Sequence, residues 1–120
     1  MKGKHWVRLL PTNALAPGAA KYVEAGGLEL AAFHLSDPDR FVVTANSCPH
    51  AGGNLAAGQV EGREVTCPWH CWKFDLDNGR CTLSETVQLR RYEARVEGGF
   101  IWARLDQPLP PGPPNAEGPS

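Results

Sequence analysis

Apolar and polar residues alternate with a period of two along much of this chain. The pattern is clearest where Tyr92, Ala94 and Val96 are interleaved with charged residues, as expected of a half-buried β-strand. Eight short segments have a strand-like composition: Trp6–Leu10, Lys21–Glu24, Leu28–Leu35, Arg40–Ala45, Arg63–Thr66, Trp72–Leu76, Val87–Val96 and Phe100–Leu105. Gly26-Gly27 and Gly98-Gly99 each separate two of these segments and favour hairpin turns. The pattern predicts an all-β chain of short antiparallel strands.

The chain length of 120 residues suits one domain with a single core. Its last part differs in composition, because six prolines fall between Gln107 and Ser120 and few apolar residues accompany them. Proline removes backbone donors, and such a segment has little to bury. We expect a domain over residues 1–106 and an extended or disordered tail over residues 107–120.

The charge balance argues against a nucleic-acid partner. Twelve Lys and Arg residues against thirteen Asp and Glu residues give a formal net charge of −1, so there is no strongly basic footprint. No apolar stretch approaches the length of a membrane span or of a signal segment. The sequence predicts a soluble, cytoplasmic protein.

Two short motifs each combine one cysteine with one histidine. They are Cys48-Pro49-His50 and Cys67-Pro68-Trp69-His70, and sixteen residues separate His50 from Cys67. In a [2Fe-2S] centre with mixed ligands, two cysteines hold one iron and two histidines hold the other. Zinc uses the same residue types, but its usual spacings pair cysteine with cysteine and histidine with histidine. The motifs therefore favour an iron–sulfur cluster, with structural zinc as the alternative.

The segment 48–70 resembles the Rieske cluster-binding signature, C-x-H followed by C-x-x-H. Gly52, Gly53 and Pro68 are further marks of this family, and residues 28–105 look like the rest of a Rieske domain. The resemblance implies an antiparallel β sandwich or barrel, with a small two-loop cluster-binding subdomain at about residues 46–82. It also implies one Rieske-type [2Fe-2S] cluster, held by Cys48, His50, Cys67 and His70.

The neighbours of these ligands carry information about the redox potential. High-potential Rieske proteins have a serine two residues after the second histidine and a tyrosine two residues further on, whereas this chain has Trp72 and Phe74. They also brace the two loops with a disulfide, at places that here hold Gly53 and Trp69. The resemblance therefore implies a low potential and loops held without a disulfide. We expect Gly52 and Gly53 to allow close approach of the backbone, and Trp69 and Trp72 to cover the flank of the cluster.

The function predicted from this resemblance is one-electron transfer without a catalytic residue. The chain would pass electrons from a reductase to a terminal oxidoreductase, as a ferredoxin of a ring-hydroxylating oxygenase system does. The segments Arg91–Gly99 and Asp77–Cys81 also look like the small subunit of an NADH-dependent nitrite reductase, which is the alternative. A zinc-stabilised interaction module is the alternative from another class. Redox proteins are the expected partners in the first two cases.

The remaining cysteines and histidines have simpler interpretations. In a hairpin turning at residues 77–79, Leu76 is expected to face Arg80 or Cys81, which leaves Cys71 and Cys81 too far apart for a disulfide. They are predicted to be free thiols. His5 and His34 are predicted to be surface or core residues rather than metal ligands.

Overall fold

The computed structural model describes residues 6–36, 39–47, 54–68, 72–81 and 88–110. These residues form nine β-strands: β1 (Trp6–Pro11), β2 (Ala20–Ala25), β3 (Leu28–Ser36), β4 (Asp39–Ala45), β5 (Gln59–Glu61), β6 (Glu64–Thr66), β7 (Lys73–Asp75), β8 (Arg91–Glu97) and β9 (Phe100–Leu109). Two short 3-10 helices, Thr12–Ala14 and Leu55–Ala57, precede β2 and β5. Within the described residues, no helix has the length and apolar character needed to cross a bilayer.

The strands form two antiparallel sheets. The larger sheet has the order β1-β9-β8-β4-β3-β2, and the smaller sheet has the order β5-β6-β7. Strands β1 and β2 lie at opposite ends of the larger sheet yet also contact each other, so that sheet curls into a nearly closed barrel. The predicted all-β, antiparallel barrel-like fold is confirmed.

Two glycine pairs make the tight turns expected of them. Ala25 pairs with Leu28 across Gly26-Gly27, and Glu97 pairs with Phe100 across Gly98-Gly99. All four glycines have positive φ, between 58° and 80°. Two consecutive residues with positive φ match a type I′ turn, whose twist suits the flanking strands. The β2–β3 and β8–β9 hairpins are therefore determined by local sequence.

Strand β3 is buried on both faces. Residues 30–35 are all buried, and successive side chains point to opposite sides of the strand. One set lies in the barrel core, formed by Leu10, Leu15, Leu30, Ala32, Val43, Tyr92, Ile101 and Ala103. The other set lies in the loop-side core, formed by Ala31, Phe33, Leu35, Leu55, Val65, Cys67, Phe74, Leu76, Cys81 and Leu89. Strand β3 is thus the shared wall between the barrel and the smaller sheet.

The hairpin after β7 is stabilised by side chains at its turn. Buried Asp75 accepts a hydrogen bond from the Asp77 amide at 2.8 Å, and buried Asn78 accepts one from the Arg80 amide at 2.9 Å. Phe74 pairs with Cys81 across the turn. The predicted pairing of Leu76 with Arg80 or Cys81 is therefore wrong by one or two residues, because these Asx turns tighten the connection. Cys71 lies outside the described residues.

Strand β9 continues past the expected start of the tail. It ends at Leu109, which pairs with Arg91, so residues 107–109 belong to the sheet. The Arg91 guanidinium also donates a hydrogen bond to the Pro110 carbonyl at 2.9 Å. Pro108 within this stretch is tolerated because β9 has few backbone partners there. The division into one domain and a tail otherwise stays a prediction, since residues 111–120 lie outside the described part.

His34 is a buried core residue rather than a surface residue. Its Nδ1 lies 2.7 Å from the Leu15 carbonyl oxygen, and its Nε2 contacts the carboxylate of Asp39. Both partners are acceptors, so the protonated imidazolium satisfies both. Burial by itself lowers the pKa of His34, but the hydrogen bonds to Leu15 and Asp39 and the charge of Asp39 outweigh it, and the pKa is raised above 6.5.

Replacing His34 should remove a pH-dependent part of the stability. Since the folded-state pKa is raised, the proton stabilises the folded chain fully below about pH 6.5, and this contribution is lost as the pH rises through the folded pKa. We expect His34→Gln to lower the free energy of unfolding at pH 5 by about 1–3 kcal/mol, with a smaller loss at higher pH. Denaturant unfolding at several pH values measures this. Asp39→Asn should weaken the same pH dependence, and a pH-independent loss in His34→Gln would contradict the assignment.

Candidate metal centre

Of the four predicted ligands, Cys67 lies in the described part of the chain. It follows β6 directly, is fully buried and belongs to the loop-side core. Trp72 and Phe74, predicted to flank the cluster, are also described. Cys48, His50, Gly52, Gly53, Trp69 and His70 lie outside the described residues. The site is therefore defined here by Cys67 and by the segments on either side of the two motifs.

The second motif lies in the connection between paired strands. Thr66 on β6 pairs with Lys73 on β7, and the Cys67 amide donates a hydrogen bond to the Trp72 carbonyl at 2.7 Å. The two ends of this second loop, Cys67 and Trp72, are therefore hydrogen-bonded to each other. His70 falls between them in the sequence.

The first motif is also flanked by paired residues. Ser47 and Asn54 form an antiparallel bridge, and the Leu55 amide donates a hydrogen bond to the Asn46 carbonyl at 2.9 Å. The Ala56 amide donates to the side-chain oxygens of Asn46 at 2.9 Å and of Asn54 at 3.1 Å. The chain on either side of residues 48–53 is thus closed at its base.

The bases of these two loops lie next to each other. Gln59 on β5 pairs with Thr66 on β6, so the segment that leaves the first loop is paired with the segment that leads into the second. Leu55 and Cys67, one from each base, are both fully buried in the loop-side core. This arrangement places Cys67 beside the anchored ends of the first loop.

Two apolar side chains that follow the second loop, Trp72 and Phe74, contact the loop-side core. Phe74 is fully buried in the loop-side core, and half-buried Trp72 packs against that core. The Phe74 ring has no group that can donate a hydrogen bond to a nearby sulfur. Both side chains therefore exclude water from the region of Cys67.

Two arginines attach the hairpin after β7 to the barrel. Arg40 of β4 contacts the Asp77 carboxylate, and Arg91 of β8 donates a hydrogen bond to the Asp77 carbonyl at 2.7 Å. Burial lowers the pKa of Arg91, while the charges of Asp77 and Asp75 oppose that effect. Gly79 allows a close approach of both Leu89 and Arg91, since a Cβ there would lie 2.6 Å from the Leu89 carbonyl oxygen and 3.1 Å from Arg91 Nε. The subdomain that holds Cys67 is thereby attached to the barrel.

The donor chemistry fits an iron–sulfur cluster. Cys67 supplies a buried sulfur beside the Leu55 end of the first loop, and the two motifs together offer two thiolates and two imidazoles. A fully buried thiol at the start of the second loop suits a metal ligand, since iron–sulfur clusters are held by cysteine thiolates. Among the described residues alone, no group of three or more His, Cys, Asp or Glu side chains converges.

The protein-family model of the Rieske [2Fe-2S] domain matches residues 5–93 of this chain. This chain belongs to that family. The match includes both cysteine–histidine motifs, and it confirms the resemblance inferred from them. The family indicates one Rieske-type [2Fe-2S] cluster, which favours iron–sulfur over the zinc alternative.

The relatives include long enzymes and short electron carriers. The chain is 39% identical over 77 residues to a cholesterol 7-desaturase of Hemicentrotus pulcherrimus; the matched part is 63% of this chain and 16% of that protein. The ferredoxin of carbazole 1,9a-dioxygenase from Nocardioides aromaticivorans IC177 is 27% identical with a TM-score of 0.76, covering 83% of this chain and 97% of that one. A Mycobacterium tuberculosis protein described as an NADH-dependent nitrite reductase small subunit is 28% identical with a TM-score of 0.75, covering 82% and 92%.

Sequence reasoning missed the residues that anchor the loops. Asn46 and Gly58 lie outside both motifs, yet Asn46 bonds to the first loop's base and Gly58 lies against Thr66. The sequence carried a weak signal for Asn54, because asparagine is a common helix N-cap. Asn54 caps the 3-10 helix Leu55–Ala57, and its side chain accepts a hydrogen bond from the Ala56 amide. Nothing local marks Asn46 or Gly58, since their contacts are with distant residues.

Proposed function

We propose that this chain is a one-electron carrier whose [2Fe-2S] cluster is bound by Cys48, His50, Cys67 and His70. The first candidate function is that of a ferredoxin, which passes electrons from a reductase to a terminal ring-hydroxylating oxygenase. When bound, a cluster of this type takes up and releases one electron at a time. The chain itself supplies the ligands, a dry surrounding and rigid loop bases, and it needs no catalytic acid or base.

The observation that carries this proposal is the near end-to-end match with a free-standing ferredoxin. The carbazole dioxygenase ferredoxin is covered over 97% of its length with a TM-score of 0.76. The chain spans 16% of the desaturase that it also matches. We assign it the electron-carrier role on its likeness to the ferredoxin, which extends over nearly the whole length of that protein.

A second candidate is the small subunit of a nitrite reductase. It is supported by the likeness to the Mycobacterium tuberculosis protein, which is 28% identical and covered over 92% of its length. Such a subunit would remain with one large partner, whereas a ferredoxin would move between two partners. A cytoplasmic location, inferred from the sequence, stays a prediction for both candidates.

We further propose that the cluster has a low potential. A reduced cluster carries an additional negative charge, and hydrogen-bond donors to its sulfurs stabilise that charge. Phe74 cannot supply such a donor, and it is fully buried in the same core as Cys67. We expect a midpoint in the lower half of the roughly −150 to +300 mV range of Rieske centres.

The ligand assignment can be tested with a pair of buried cysteines. Cys67 and Cys81 both lie in the loop-side core, but only Cys67 is in a ligand motif. We expect the reduced wild-type protein and Cys81→Ala to give the rhombic electron paramagnetic resonance signal of a mixed sulfur–nitrogen cluster, and Cys67→Ala to lose it. A wild-type protein that contains stoichiometric zinc and gives no signal would refute the proposed function.

The electron-carrier role can be tested by rapid mixing. We expect a purified ring-hydroxylating oxygenase to oxidise the reduced protein within a single turnover of the oxygenase. A purified nitrite reductase large subunit should oxidise it much more slowly. The cluster-free Cys67→Ala protein is the control for background oxidation. Preferential oxidation by the nitrite reductase, with a stable complex on gel filtration, would support the second candidate instead.

The potential can be tested by restoring a hydroxyl. We expect Phe74→Tyr to raise the midpoint by about 59 mV, which corresponds to about 1.4 kcal/mol of extra stabilisation of the reduced state. Phe100→Tyr is the control, because Phe100 lies on β9 and packs against Arg8. Potentiometric titration measures both variants. An unchanged midpoint in Phe74→Tyr would contradict the proposed role of position 74.

A further inference from the structure

Position 58 requires glycine because a side chain would not fit there, and not because of its backbone conformation. It is the only glycine in the described part of the chain whose φ is negative, at −77°. A Cβ built there would lie 2.3 Å from the Thr66 carbonyl oxygen and 3.1 Å from both the Leu55 carbonyl oxygen and the Val65 side chain. A contact of 2.3 Å with backbone is not tolerated, so any side chain would push the two segments apart. Gly58 therefore sets how closely the first loop's base approaches the residue before Cys67.

Asn46 ties the same segment to the barrel. The residue is buried, with 6% of its surface exposed, and its Oδ1 accepts a hydrogen bond from the Ala56 amide at 2.9 Å. Its backbone carbonyl accepts a hydrogen bond from the Leu55 amide at 2.9 Å, and its own amide donates to the Glu29 carbonyl on β3 at 3.0 Å. One residue thus links the start of the first loop, the end of that loop and strand β3.

Asn54 makes a weaker version of the same contact. Its Oδ1 lies 3.1 Å from the Ala56 amide, and the residue is exposed. A hydrogen bond in contact with water contributes less than a buried one, because water replaces it when it is lost. The buried Asn46 contact is therefore the more important of the two.

We propose that Asn46 and Gly58 form a clasp that holds the two ligand loops at a fixed separation. This inference rests on the proposed function, since it concerns the loops that would bind the cluster. The clasp would perform the task that a disulfide between the loops performs in high-potential relatives. Asn46 and Gly58 are positioning residues, because they act on the cluster through the loop bases.

The physical consequence concerns both retention and tuning of the cluster. Groups that orient metal ligands affect metal affinity by about 10-fold to 100-fold when they are removed. The reduction potential also depends on hydrogen bonds to the sulfurs and on solvent access. Separating the loop bases would therefore weaken the hold on the cluster without unfolding the barrel.

The first test compares substitutions of two glycines on either side of β5. Gly58→Ala creates the backbone clash, whereas Gly62→Ala places a side chain at a φ of +59° with nothing within 4 Å. Both should lower the melting temperature of the cluster-loaded protein. We expect Gly58→Ala to release iron to a chelator about 10-fold to 100-fold faster than the wild type, and Gly62→Ala to stay close to the wild type. Equal release rates in the two variants would overturn the proposal.

The second test compares two asparagine variants and does not depend on the folding of Gly58→Ala. Asn46→Ala removes the buried acceptor of the Ala56 amide, and Asn54→Ala removes the exposed one. We expect faster iron release and a changed midpoint in Asn46→Ala, and little change in Asn54→Ala. Identical behaviour of the two variants would overturn the clasp. A wild-type protein without a cluster would instead refute the proposed function, so the two failures are distinguishable.

Discussion

The two-sided burial of β3 is the constraint on which the rest of this structure depends. Leu30 and Ala32 point into the barrel core, and Ala31, Phe33 and Leu35 point into the loop-side core. Burying a large apolar side chain contributes about 1.5–3 kcal/mol to the stability of the folded chain. Side chains on both faces of β3 make such contributions. The barrel and the smaller sheet therefore cannot separate without exposing one face of β3. The loops that carry the cysteine–histidine motifs are built on this common wall.

The proposed one-electron carrier needs ligands that are held in place rather than side chains that react. The two loop bases meet this need with backbone hydrogen bonds, such as the Cys67 amide to the Trp72 carbonyl and the Leu55 amide to the Asn46 carbonyl. The arginines at positions 40 and 91 add a second attachment, between the β7 hairpin and the barrel. Loop bases held in this way would change little when one charge is added, which suits the proposed electron exchange.

Local rules predicted much of the fold. The paired glycines at 26–27 and 98–99 make hairpin turns because glycine adopts positive φ at no steric cost, and the alternation of Tyr92, Ala94 and Val96 matches strand β8. The rules were less successful at the β7 hairpin, where Asp75 and Asn78 tighten the turn, and at Leu109, which remains in the sheet. In both cases the outcome depends on a side-chain contact or on a distant strand partner.

The sequence by itself determined the family and the type of cofactor, because two short motifs have the residue types and spacing of the Rieske signature. It also determined the strands and tight turns, since these depend on neighbours along the chain. Only the tertiary structure decided that Asn46 contacts Ala56 and that Gly58 lies against Thr66 at the loop bases. Asn46 and Ala56 are 10 residues apart in the sequence, and contacts of this kind leave no periodic or compositional trace. The close approach at Gly58 becomes visible only when the two backbones are placed side by side.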